Sequence, residues 1–210
     1  MRVILSRRLI DRGIEAAPNQ IMLTESGLQA FDLVCRWMLK PGDTVIVNDP
    51  CYFNFLTLLR APPVNVVSIP YTEQGPSVEA LQSAVSTYRP RLYLTNSGSH
   101  NPTGANMTSS VAYKLLTISA QHGVTILEDD VFADFEQEPS PRFAALDGLE
   151  QVIHVSSFSK ILTNGTRCGY VAANRELIDK LVDLKVVTCF GGNSLTAQIV
   201  HGLLTDGSYR

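Results

Sequence analysis

Short apolar runs bounded by turn-forming residues alternate along this chain with longer segments in which apolar positions recur every three or four residues. Residues 2–12 mix charge among apolar positions and run to Gly13, the pattern of a helix with a glycine stop rather than of a signal peptide. QIMLT (20–24) reads as a strand. The segment GLQAFDLVCRWMLK after it reads as a helix with Phe31, Val34, Cys35 and Met38 on one face, ended by PGD at 41–43. TVIVN (44–48) and VNVVSIP (64–70) are strand-like and flank an apolar stretch at 52–59. A serine-capped helix is expected over 77–85, a strand at 91–96 (RLYLTN), a helix over 108–122 and a strand in VTILEDD (124–130). QVIHV (151–155) and CGYVAAN (168–174) read as strands, the latter leading into a helix that begins near Arg175, and FGGNS (190–194) reads as a helix break. Apolar strands alternating with helices predict an α/β layer fold: a mainly parallel central sheet flanked by helices. In such sheets ligands bind beyond the carboxyl ends of the strands.

The chemically distinctive residues fall there. The strand at 91–96 runs into SGSHNPTGAN, which carries Asn101 in an Asn-Pro-Thr-Gly turn. LEDDVFADF sets three acids at one strand end, and QVIHV leads into SSFSK, with Lys160 last. LTESGLQA passes from strand to helix through Ser26 and Gly27, leaving free backbone amides at a helix N-terminus. Each feature has a plain alternative: a turn, a solvated acidic edge, an N-cap serine, a loop lysine. His100 reads as a surface turn histidine, and His122, His154 and His201 receive no role.

Composition narrows the classes. The 210 residues are 45% apolar with a net charge of −3, enough for one good core and without the basic footprint of a nucleic-acid or anionic-membrane binder. No apolar run is long enough to span a bilayer. Cys35, Cys51, Cys168 and Cys189 are scattered, with no CxxC and no metal-like pairing with histidine. They read as thiols of a reducing cytoplasm, and zinc is not expected.

One cofactor needs all four features together. Pyridoxal phosphate needs a lysine amine for its aldehyde, as a Schiff base, and a carboxylate to keep its ring nitrogen protonated. Its phosphate needs helix-terminal amides, hydroxyls and a guanidinium. Lys160 supplies the amine and an acid of the Asp129/Asp130 pair the ring partner. Ser26, Ser157, the Gly27 and Leu28 amides and Arg167 supply the phosphate cup, Asn101 a donor to the ring's phenolic oxygen, and Tyr52 a stacking ring.

On NPTG, EDDVF and SSFSKILTNGTRCGY, in that order, the chain from about residue 20 onward resembles the fold-type I, class I/II aminotransferases. It is most similar to the aminotransferase-like domain of MocR-type GntR-family regulators, where the arginine also follows the lysine by seven residues and the acids read Glu-Asp-Asp. The resemblance selects Asp129 as the ring-nitrogen partner and Tyr52 as the stacking residue. It implies a homodimer, an amino acid or amine with a 2-oxo acid as substrates, and base catalysis by Lys160. Phe132 stands where the family usually has tyrosine, and Ser26-Gly27-Leu28 lacks one hydroxyl common in the phosphate turn. Residues 1–210 correspond to the large cofactor domain alone, a fragment without winged-helix or arm and without the small C-terminal domain, so slight turnover is expected. The alternative is a cofactor- and effector-sensing domain of a MocR/GntR regulator, with DNA contacted through a domain outside this segment. A third reading takes Ser157 and Lys160 as the S-x-x-K of a serine hydrolase, but S-D-N, K-T-G and G-x-S-x-G are all absent.

Overall fold

The structure, a computed structural model, describes residues 1–163 and 165–209. Eight strands form one sheet: β1 Ile21–Thr24, β2 Thr44–Asp49, β3 Asn65–Thr72, β4 Gly75–Pro76, β5 Leu92–Asn96, β6 Thr125–Asp129, β7 Val152–Ser157 and β8 Gly169–Ala172. Their order across the sheet is β1-β8-β7-β6-β5-β2-β3-β4. The five strands β3, β2, β5, β6 and β7 are mutually parallel, and β8 runs antiparallel to both β7 and β1. The mainly parallel sheet expected from the sequence is therefore present. Its central strands are buried on both faces, as near-continuous apolar runs require.

Eight α-helices cover the two faces: α1 Arg2–Ile10, α2 Gly27–Met38, α3 Phe53–Leu58, α4 Val78–Tyr88, α5 Ser109–Gln121, α6 Phe143–Asp147, α7 Arg175–Cys189 and α8 Ser194–Thr205. One core packs Leu5 and Leu9 of α1, Leu81 of α4, Leu115 of α5, Phe143 of α6 and Val200 of α8 onto Ile46, Tyr93 and Ile126. The other packs Phe31 and Val34 of α2, Phe55 of α3 and Ile178 and Leu181 of α7 onto Val45, Leu94, Leu127 and Val155. Alternation along β6 thus sends Ile126 to one core and Leu127 to the other. The same alternation separates Glu128 from Asp129 at the strand end.

Capping follows the sequence closely. Ser26, Ser77, Thr108 and Asn174 each accept a hydrogen bond from the backbone N–H three residues on, at 3.1, 3.1, 3.3 and 2.9 Å. The apolar stretch at 52–59 folds as α3, and FGGNS separates α7 from α8, with Phe190 in the left-handed region at φ 57°. Among the described residues, no helix is long and apolar enough to cross a membrane.

Candidate functional site

The carboxyl ends of β5, β6 and β7 open onto one cleft. Its walls include Ser26, Gly27, Leu28, Tyr52, Asn101, Asp129, Ser157, Lys160 and Arg167, all nine of the residues singled out from the sequence. Phe31, Val131, Phe132 and Ser159 complete the lining and were not singled out as site residues. They could have been found only from their neighbours, Phe31 one helical turn beyond Gly27 and Val131 and Phe132 directly after the acids.

One wall is the turn from β1 into α2. Ser26 caps α2 through the Gln29 N–H and also lines the cleft. The amides of the first helical turn have no partner inside the helix and carry its positive dipole end. Strand β8 lies directly behind this turn. A Cβ on Gly169 would sit 2.8 Å from the Ser26 carbonyl carbon and 3.0 Å from the Gly27 nitrogen, so only glycine allows the approach. The glycine of the Arg-Cys-Gly-Tyr run is thereby explained, and Arg167 enters the cleft two residues before it.

Beside this turn lies the end of β7. Ser157 Oγ donates to Cys168 O at 3.2 Å and accepts from the Ser159 N–H at 3.2 Å. The segment runs on as a turn in which no α-helix opens, contrary to what the hydrolase motif requires. Lys160 is exposed to the cleft, with Nζ 5.5 Å from the centre of the Phe132 ring. Asn101 projects from the loop after β5, where the Asn101–Pro102 peptide is cis.

The three acids at the end of β6 are all buried, which overturns the solvated-edge alternative, and each has a different setting. Glu128 accepts from the Phe143 and Ala144 N–H groups at the start of α6, at 2.6 and 3.1 Å, and His154 Nδ1 lies 3.2 Å from its Oε2. Asp130 takes the Arg142 Nε at 2.9 Å, and Arg142 also donates to Glu136 at 2.7 Å. Asp129 faces the cleft. Its Oδ1 accepts the Val131 N–H at 3.1 Å, and it has no ion-pair partner among the described residues. Desolvation pushes its pKa up to about 7, with Asp130 adding to the rise and the Val131 N–H opposing it.

That shift has a stability consequence. A carboxyl whose folded pKa lies above its unfolded value favours the fold at low pH, and this contribution is lost as pH rises toward 7. Asp129→Asn keeps the acceptor for the Val131 N–H and removes the titration. The variant is expected to match wild type in urea unfolding at pH 4 and to exceed it by about 2–4 kcal/mol at pH 8. Equal stability of the two proteins at both pH values would contradict this.

His100 corrects a sequence expectation. It is buried rather than on the surface, its ring stacked on Tyr71 at 3.6 Å and its Nδ1 2.8 Å from the Thr103 hydroxyl. Burial lowers its pKa to about 4, so it is neutral. Among the described residues, no group of three or more His, Cys, Asp or Glu side chains is placed to hold a metal ion.

Known proteins resemble this chain in sequence and in fold. The chain is 27% identical over 210 residues to the HTH-type transcriptional regulator NorG of Staphylococcus aureus (strain USA300), covering all of this chain and 47% of that protein. It is 32% identical over 179 residues to the uncharacterized HTH-type transcriptional regulator YdcR of Escherichia coli K12, covering 83% of this chain and 38% of YdcR. Among solved structures, LysN, the α-aminoadipate aminotransferase of Thermus thermophilus complexed with N-(5'-phosphopyridoxyl)-L-leucine, superposes with a TM-score of 0.91. It is 27% identical, covering 99% of this chain and 53% of that one. An archaeal alanine:glyoxylate aminotransferase gives 0.92 at 27% identity over the same shares. The chain spans between about two fifths and half of the length of these relatives. The family model for aminotransferase class I and II matches residues 8–209, nearly the whole chain, and the chain belongs to the class I and II aminotransferase family.

Proposed function

We propose that this chain is a pyridoxal-phosphate-binding domain of aminotransferase type, the large domain of a longer cytoplasmic protein, with Lys160 as the covalent anchor. The observation that carries it is Asp129: a buried carboxylate, without a cation among the described residues, in the same cleft as a primary amine. The donor set fits the group on every side, with the amine of Lys160, the acid of Asp129, the guanidinium of Arg167, two serine hydroxyls and the helix-terminal amides of Gly27 and Leu28.

Pyridoxal phosphate, when bound, supplies the electron sink that makes the Cα–H of an attached amino acid acidic. Asp129 would hold a proton on the ring nitrogen, because a desolvated carboxylate gains most from an adjacent cation. Asn101 would donate to the phenolic oxygen from its amide, and Phe132 adds no second donor there. Tyr52 would cover one ring face. Ser26, Ser157, Arg167 and the two amides would bind the phosphate. Lys160 would carry the proton between Cα and its acceptor. The substrates would be an amino acid or amine and a 2-oxo acid. A homodimer is supported by the exposed Val187, Phe190, Leu195 and Ile199 at the α7–α8 turn, an apolar surface suited to a second copy.

The regulator relatives favour a second reading, in which the same cleft senses an amino-group effector and turns over little. DNA would then be contacted by another part of the protein. Titration with pyridoxal phosphate tests both. A saturable visible band on the protein is expected, and addition of amino acids should perturb it. Release of a 2-oxo acid would select the enzyme, and perturbation without release would select the sensor. Absence of any protein-bound band would overturn the cofactor reading.

A further inference from the structure

The two cleft loops are joined from behind by the last described residue. Tyr209 is buried, its N–H held by Leu203 O at 2.9 Å at the end of α8. Its ring stands edge-on to Phe158 at 5.5 Å, and Phe158 is two residues before Lys160. Its hydroxyl donates to Asp134, which is two residues after Phe132. Asp134 also takes the guanidinium groups of Arg8 in α1 and of Arg12 in the turn after it, and Arg8 lies over the Tyr209 ring at 4.7 Å. Arg12 continues inward to Asp130 at 3.6 Å, beside the cleft acid Asp129. Burial, and then the Asp134 carboxylate, raise the Tyr209 phenol above its ordinary pKa, so it remains a donor at neutral pH.

We infer that Tyr209 and Asp134 are positioning residues for the cleft: one side chain packs on the Lys160 turn and bonds the Phe132 loop, fixing the separation of the two. A bond made in the folded state to a charged, partly shielded acceptor resists the loops' independent opening. If the cleft binds its cofactor only with both loops in place, loosening the loops weakens binding in proportion to the fall in the population that has both in place. This second consequence rests on the cofactor proposal, and the first does not.

Tyr209→Phe keeps the ring on Phe158 and removes the hydroxyl, and Asp134→Asn removes the acceptor's charge. Hydrogen exchange without cofactor is expected to quicken roughly tenfold at the amides of residues 132–136 and 158–162 in both variants, with β2 and β5 unchanged. The affinity for pyridoxal phosphate, read from the visible band, should fall about twofold or more in Tyr209→Phe and further in Asp134→Asn, which also loosens the Arg8 and Arg12 pairs, with the double variant little below Asp134→Asn. A merely structural role would lower the melting temperature while leaving the cofactor affinity at the wild-type value, and that result would overturn the inference. Unchanged exchange at the two loops would overturn it equally. If wild type itself shows no band, the cofactor reading falls, and the exchange comparison alone decides the clamp.

Discussion

Lys160→Ala is expected to abolish the visible band that pyridoxal phosphate raises on the wild-type chain and to leave no borohydride-stable label on the peptide around residue 160. Of the five lysines, Lys160 alone lines the cleft shared by Asp129, Arg167 and the α2 N-terminus. Lys185 is buried beside the 191–193 turn and donates to Gly191 O at 3.1 Å. The covalent link depends on a nucleophilic nitrogen, so Lys160→Arg separates chemistry from charge. It retains a cation near the phosphate but offers a guanidinium that does not deprotonate in proteins. Both variants should lose the band completely. Alanine should also weaken residual binding by at least about tenfold, or about 1.4 kcal/mol, and arginine by less. Labelling that persists on Lys40, Lys114 or Lys180 after the Lys160 change would show that the amine at the cleft is not the one the aldehyde meets.

The largest expected loss of stability is at Arg142. Its side chain is almost wholly buried and binds Asp130 at 2.9 Å, Glu136 at 2.7 Å and Ser140 O at 2.8 Å. Arg142→Met fills much of the volume but takes the guanidinium from Glu136 and leaves Asp130 to the more distant Arg12 at 3.6 Å, both carboxylates having essentially no access to water. Breaking one side of a buried ion pair costs about 3–5 kcal/mol, and urea denaturation should record a loss in that range. Neutralising the stranded acids as well, with Asp130→Asn and Glu136→Gln added to Arg142→Met, should restore part of it. The penalty lies in the uncompensated charge rather than in the missing contacts. A loss below about 1 kcal/mol in the single variant would mean that the cluster is reached by water and is worth no more than a surface pair.

The distinction between these two sites is also the distinction between what the sequence discloses and what it does not. The cleft was legible because its residues stand at strand ends in runs whose chemistry is specific once combined: Asn101 after β5, Asp129 at the end of β6, Lys160 after β7. The caps at Ser77 and Thr108 were legible because capping is a local bargain between a side chain and the next turn. The stretch at 52–59 gave no element, since a helix as short as α3 has too few turns for its period to show. His100 was misplaced for a related reason: turn propensity describes the backbone and says nothing of Tyr71 stacking on the ring. Arg142, His154 and Tyr209 find their partners through the tertiary fold, and no spacing in the chain announces them.

The sheet order gives the cleft a place in time as well as in space. Strand β1 has a single neighbour, β8, so residues 21–24 leave the ribosome early and wait without a ladder until residue 172 has followed. At ordinary translation speeds that interval is on the order of ten seconds. The turn at Ser26 and Gly27, behind which Gly169 leaves no room for a Cβ, cannot take its final form before then. On the proposed reading a nascent chain offers no phosphate seat until β8 has paired with β1, and the cofactor must be acquired by a molecule whose sheet is complete.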